Sequence, residues 1–196
     1  MQNVSVFDFD GTLTTRDTLI EFIRFVRGDA ACLLGFLLFS PLLVLMKLRL
    51  YPNGRAKERL FSYFFRGTSV DEMGDFCASF AKNRADLLRP KGLKEIETTL
   101  QRGDDVLVIS ASISDWVKPF FAHFIGVRVI GTELETENGK LTGRFSTPNC
   151  YGREKVVRFK SIYSDRSAVK ITAYGDSKGD KEMLDYADIK HWKPFR

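Results

Sequence analysis

Three cysteines in 196 residues, at positions 32, 77 and 150, are too few and too far apart for a disulfide framework or a thiolate metal cluster. They fit a reducing compartment. The composition also lacks the bias of a collagen-like, disordered or low-complexity chain, since 44% of residues are hydrophobic and 28% charged. No large excess of one charge is present either. Thirty Lys and Arg stand against 25 Asp and Glu, a net charge of +5. That balance tolerates anionic partners without selecting one. No secretory leader precedes the first apolar segment, so a cytoplasmic location is expected.

Long hydrophobic runs are scarce, with one exception. Ala30–Met46 (AACLLGFLLFSPLLVLM) carries no charge over 17 residues, the lower edge of what a membrane span needs. Gly35, Ser40 and Pro41 interrupt it, and basic residues flank it at Arg24, Arg27, Lys47, Arg49 and Arg55. Three readings stand: one or two buried helices, an element touching a membrane, or a span.

Asn3–Phe7 is short, apolar and β-branched, and reads as a buried strand ending at Asp8-Phe9-Asp10-Gly11-Thr12. The next segments carry helical spacing: 17–26 with Thr15 or Asp17 as cap, 30–48, 55–65, 70–87 opened by Thr68 or Ser69, and 93–101. Then the character changes. Residues 104–110 (DDVLVIS) form a continuous apolar run of the kind found in central parallel strands. Helix 114–124, strand 127–130, a hairpin turning at Asn138-Gly139, helix 153–163, strand 169–174, helix 181–186 and a short strand at 188–189 follow. Strands alternating with helices predict an α/β fold, a Rossmann-like parallel sheet covered on both faces. In such sheets ligands sit at the carboxyl ends of the strands. The predicted strands end in Asp8/Asp10, in Ser110 and in Gly175-Asp176-Ser177.

Two carboxylates two apart, past a buried strand, are either an ordinary turn or a catalytic pair brought to one mouth by a turn at Gly11. Gly175-Asp176-Ser177-Lys178-Gly179-Asp180 is a second acidic cluster, or else a solvated turn and helix cap. Four carboxylates at neighbouring strand ends repel unless a cation neutralises them. All-oxygen ligation selects a hard cation, and Mg²⁺ commonly binds one or two carboxylates plus water and a phosphate oxygen. Ser110 and Lys155 are unremarkable locally: a strand-end serine commonly caps the next helix, and Arg153, Arg158 and Lys160 look as good as Lys155. Only the order singles them out: acid pair, hydroxyl, lysine, acid pair.

With that order the chain resembles the haloacid dehalogenase superfamily of phosphohydrolases. Its four motifs match Asp8/Asp10/Thr12, Ser110, Lys155 and Gly175–Asp180 over nearly the whole chain. The helical segment after the first motif resembles the phosphoserine-phosphatase-like subfamily, called IB. More narrowly, 33–46, Cys150–Lys155 and Tyr174–Asp180 are similar to the bacterial phosphatidylglycerophosphatase C type.

The resemblance implies a core of residues 1–14 and 89–196 with an all-α cap at 15–88. It implies a Mg²⁺-dependent phosphomonoesterase working through an aspartyl-phosphate, with a phosphorylated small molecule or lipid as partner and no nucleic acid. Asp8 would be the nucleophile and Asp10 the acid/base. Mg²⁺ would sit on Asp8, the Asp10 carbonyl and Asp176, with Asp180 close by. Ser110, Lys155, Thr12 and the backbone near Ala111 would hold phosphoryl oxygens. In phosphoserine phosphatases an acid and an arginine clamp the amino acid. Asp17, nine residues after Asp8, stands where the acid falls, and Arg55 or Arg59 would supply the arginine. The apolar run between them suits a small zwitterion poorly. A lipid phosphate such as phosphatidylglycerophosphate, met at the inner face of the membrane, is therefore preferred. Lys47–Arg66 carries six basic residues (Lys47, Arg49, Arg55, Lys57, Arg59, Arg66) against Glu58, which suits an anionic bilayer. The alternatives are a soluble sugar or amino-acid phosphate as substrate, a phosphotransferase, or a phosphate- or lipid-binding module without turnover.

Overall fold

A strand with residues buried on both of its faces has to lie inside a sheet covered on both sides. β1 (Gln2–Phe7) does so in the computed structural model, which describes residues 1–48 and 50–196. Arg49, one of the six basic residues noted above, lies outside the described residues. β1 pairs in parallel with β2 (Asp105–Ile113) and with β6 (Val169–Gly175). β3 (Val127–Thr132) extends the sheet beyond β2, and β7 (Ile189–Trp192) extends it beyond β6. The order is β3-β2-β1-β6-β7, all parallel, so the α/β reading holds. The chain leaves β1 toward β2 and returns on its other side to β6. Between these two directions the strand ends open a crevice.

Alternation along the strands divides the core in two. Val4 and Val6 of β1, Leu107 and Ile109 of β2 and Ile171 of β6 pack together with Phe159. Phe7, Val106 and Val108 face the other way, toward Phe9, Phe22, Phe61, Phe65, Phe80 and Trp116. Much of that second core comes from helices between β1 and β2: α1 (Thr18–Arg27), α2 (Asp29–Leu38), α3 (Ser40–Lys47), α4 (Asn53–Phe65), α5 (Val70–Asn83) and α6 (Pro90–Gln101). Asp17 caps α1 by accepting from Leu19 N–H at 3.0 Å, and Ser69 caps α5 by accepting from Glu72 N–H at 3.2 Å. The remaining elements are α7 (Ser114–Val117), the antiparallel hairpin β4 (Leu134–Glu137) and β5 (Lys140–Phe145), α8 (Arg153–Ile162) and α9 (Lys181–Tyr186). Asn138 and Gly139, at φ 50° and 74°, make the hairpin turn.

Several expectations need correction. β2 runs three residues past Ser110, through an irregularity between Ile109 and Ile113, so Ser110 lies within the strand. The helix read over 114–124 is only α7 followed by a tighter turn at Lys118–Phe121, and that over 70–87 stops at Asn83. Residues 30–48 form two helices bent by 63°. Pro41 has no N–H to give the Leu37 carbonyl, and Ser40 Oγ donates to that carbonyl instead, at 2.8 Å.

Nor are these two helices buried. α2 buries only Cys32 and Gly35, and α3 buries nothing. Gly35 is where α2 meets α4, for a Cβ there would lie 2.3 Å from the Phe64 ring. Leu33, Leu34, Leu37 and Leu38 are each 60–62% exposed. Among the described residues no single helix is long and apolar enough to cross a membrane, and only the bent α2–α3 pair reaches that length and composition.

Candidate active site

The carboxyl ends of β1 and β6 bring three acids together. One carboxylate oxygen from each of Asp8, Asp176 and Asp180 lies within 4.8 Å of the others. Asp8 follows β1 directly, and its N–H donates to the Tyr174 carbonyl of β6 at 2.9 Å. The chain then makes a wide helical turn over Phe9–Leu13, in which Gly11 adopts φ +81°. A Cβ on Gly11 would stand 2.6 Å from Asp176 Oδ2, so the turn and the second acidic loop can approach only because residue 11 is glycine.

Lys155, near the start of α8, is 1% exposed and reaches the centre of the cluster. Its Nζ donates to Asp8 Oδ1 at 2.5 Å, to Asp180 Oδ1 at 2.7 Å and to the Ile109 carbonyl at 2.9 Å. All three ammonium protons are placed. Burial alone would lower the lysine, but the two carboxylates outweigh it and hold it well above its ordinary range. Burial pushes Asp8 the other way, up to about 7 against the pull of Lys155. Asp180 is lowered despite burial, because Lys155 and the Ser177 backbone and hydroxyl bond its charged form. Asp176 is raised by burial and by Asp180, with the Arg196 guanidinium on its Oδ2 pulling it back. Thr12 Oγ1 faces both Asp8 Oδ2, at 2.9 Å, and Asp176 Oδ1, at 3.3 Å.

Asp10 does not join this group, which corrects the expectation of four converging carboxylates. The turn points its side chain toward α1 and β2. Asp10 Oδ1 accepts from Thr18 N–H at 2.7 Å and Thr18 Oγ1 at 2.6 Å, and Oδ2 accepts from Ser112 Oγ at 2.5 Å. Trp116 Nε1–H donates to Thr18 Oγ1 at 3.2 Å, which leaves the threonine proton for Asp10. Ser110 Oγ is farther from Asp10, at 3.5 Å, and accepts from Ser112 N–H at 2.9 Å. Thr18 and Ser112 were not singled out from the sequence.

Beside Asp10 lies a narrow pocket lined by Leu19, Lys57, Ala111, Ser112, Trp116 and Phe145. Lys57 is its cation. Arg55 and Arg59, the cations favoured from the sequence, are exposed, and Arg59 lies 5.7 Å from the centre of the Tyr51 ring. Helical spacing carried the missed signal: Ala56, Leu60, Phe61 and Phe64 mark the buried face of α4, and Lys57 lies four residues before Phe61 on its edge. Asp17 keeps an edge open to solvent. Burial and the charge of Asp10 raise its carboxyl, and Lys57 lowers it.

Asp8, Asp176 and Asp180 suit a hard divalent cation. Three carboxylates meet two cationic side chains, Lys155 and Arg196, so one negative charge is left over. All the available donors are oxygen.

Residues 5–185 match the family model of the haloacid dehalogenase-like hydrolases. The chain is 32% identical over 193 residues to Protein CicA of Caulobacter vibrioides, covering 97% of this chain and 85% of that one. It is 26% identical to a histidinol-phosphatase of Neisseria meningitidis, covering 94% of this chain and 86% of the relative. A substrate-bound phosphoserine phosphatase superposes with a TM-score of 0.66 at 15% identity, over 98% of this chain and 86% of that structure. A parallel sheet that gathers acids around a buried lysine is thus found in a chain whose residues 5–185 match one family model, and the chain belongs to the haloacid dehalogenase-like hydrolases.

Proposed function

We propose that the protein hydrolyses a phosphate monoester in two steps, with Asp8 as nucleophile and Asp10 as acid and base. The observation that carries this reading is the separate custody of the two aspartates. Asp8 is fixed by Lys155 and Thr12 inside the acid cluster, whereas Asp10 is held by Thr18 and Ser112 at the mouth of the narrow pocket. One site thereby holds two carboxyls in different surroundings, one against a buried lysine and one against two hydroxyls.

In the first step an Asp8 oxygen bonds to phosphorus as the ester P–O bond breaks, and Asp10 gives its proton to the departing oxygen. In the second, water adds to phosphorus and loses a proton to Asp10. The acyl-phosphate bond breaks, phosphate leaves and both aspartates are restored. Lys155 offsets part of the cost of burying Asp8 as an anion, and Ser110, Thr12 and the backbone at Ala111 line the phosphoryl position. Asp8, Asp176 and Asp180 would hold Mg²⁺, with the Asp10 carbonyl as a fourth donor. Bound there, the ion neutralises charge on the transferring phosphoryl group.

The helices of residues 15–88 act as a cap over a core of residues 1–14 and 89–196. Through Leu19 and Lys57 the cap supplies one wall of the pocket, so it selects the leaving group. Apolar pocket walls with a single cation and, elsewhere among the same helices, an uncovered apolar α2–α3 pair support an amphiphilic substrate: a lipid phosphate of the phosphatidylglycerophosphate kind, met at a membrane surface.

Phosphate release from p-nitrophenyl phosphate tests the chemistry. Turnover should stop in EDTA and fall at least a thousandfold, about 4 kcal/mol, in Asp8→Asn. Full activity in EDTA, or a loss below tenfold in that variant, would overturn the assignment. Comparing phospholipid monoesters with sugar and amino-acid phosphates tests the substrate class. Faster hydrolysis of the soluble esters would reject the lipid reading and leave the chemistry standing.

A further inference from the structure

The end of α4 and the β4–β5 hairpin close on one another at a distance that glycine alone permits. Gly143 adopts φ +85°, and a Cβ there would lie 2.4 Å from Ser62 Oγ. Just after α4, Gly67 N–H donates to the Leu141 carbonyl at 2.8 Å, and Leu141 N–H donates to the Thr68 carbonyl at 2.9 Å. These bonds pin the hairpin to the helix end. Between them lies a cleft of about 430 Å³ lined by Ser62, Arg66, Glu137, Lys140, Thr142 and Arg144. That volume is in the range of small-molecule sites, roughly 300–1,000 Å³.

Three of those side chains are cationic and one is acidic. Arg144 shares Glu135 Oε2 with the Thr142 hydroxyl, at 2.9 and 2.5 Å. Arg66 and Lys140 have no ion pair or hydrogen bond among the described residues, and neither has the Ser62 hydroxyl. Like charges gathered in one concavity repel, and a multiply charged oxyanion relieves the repulsion while using the idle donors. The cleft is distinct from the pocket beside Asp10. Arg144 lines the one and Phe145 the other, as neighbours on β5 facing opposite ways.

We infer that this cleft is a second anion site, which takes a ligand of the phosphate class bearing at least two negative charges. Binding there requires no turnover and does not depend on the roles of Asp8 and Asp10.

Calorimetry with inorganic tripolyphosphate tests it, on Asp8→Asn protein in EDTA so that nothing is consumed. The expected result is binding that weakens at least tenfold when Arg66→Ala and Lys140→Ala are added, and that tightens in Glu137→Gln. The gain in the last variant is a result that misfolding would not produce. Absence of binding, binding indifferent to the paired substitution, or no gain in Glu137→Gln would each overturn the site. A parallel arm sediments the protein with phosphatidylcholine vesicles, with and without phosphatidic acid. Retention on phosphatidic acid that the paired variant loses assigns the site to a lipid headgroup. Tripolyphosphate binding without such retention assigns it to a soluble phosphate.

Discussion

Lys155 and the α2–α3 pair invert the usual rule of burial. A lysine sits in the core at 1% exposure, while Leu33, Leu34, Leu37 and Leu38 face outward at 60–62%. The lysine can be inside because every proton it carries has an acceptor, two of them charged. The leucines are outside because α2 approaches the rest of the protein along one line, through Cys32 and the Gly35–Phe64 contact. In the first region each part needs the others. In the second each side chain stands alone. Substitutions in the two regions should therefore behave in opposite ways.

The largest effect is expected at the centre. Lys155→Met leaves Asp8 and Asp180 buried without their shared cation, and should cost about 3–5 kcal/mol in urea unfolding of the metal-free protein. A loss below 1 kcal/mol would mean that the three groups are not coupled. Next comes the pH response of Asp8. Its carboxyl rises from an ordinary 3.8 to about 7 in the folded protein, so the native state holds that proton more tightly than the unfolded chain. Stability contributed by the neutral form is complete below the unfolded value and is lost as pH climbs from 3.8 toward 7. Without metal, Asp8→Asn should remove this decline, so melting curves of variant and parent should separate progressively over that interval.

A smaller effect is expected at the pocket wall. Lys57→Ala should raise KM for a substrate bearing a second anionic group by about tenfold, roughly 1.4 kcal/mol, while p-nitrophenyl phosphate is little affected. Equal losses on both substrates would give Lys57 a structural role instead. The smallest effect sharpens the contrast. Leu34→Asn with Leu38→Asn should change stability by no more than about 0.5 kcal/mol per site, yet reduce sedimentation with anionic vesicles. Destabilisation of several kcal/mol would show that the exposed face is packed after all.

The sheet and the acids were legible because their signals are local. An apolar strand followed by Asp8 and Asp10, and another followed by Asp176, can be read within ten residues. The two carboxylates of the first motif were expected to work side by side, and the structure sends them to different partners. That division depends on Thr18 and Ser112, which meet only through tertiary packing. Ser112 was hidden because β2 continues past Ser110, where an apolar run gives way to Ser110-Ala111-Ser112 and the pattern ceases to mark strand. The uncovered face of α2 was hidden for a different reason. Composition shows that a segment is apolar, but whether anything covers it depends on how many elements pack there.

The parallel pairing of β1 with β6 also bears on how the chain comes to fold. Val169–Gly175, the strand that Gln2–Phe7 pairs with, is synthesised more than 160 residues after it. Asp8 has neither its lysine nor its fellow acids until Lys155, Asp176 and Asp180 have been made. Pairings this distant in sequence form late and slowly. During synthesis the helices between β1 and β2 emerge first, carrying the exposed leucines of α2. Those leucines are therefore available to a bilayer or a chaperone before the acid cluster can assemble. A chain stalled before α8 would have its apolar surface in place and its chemistry absent.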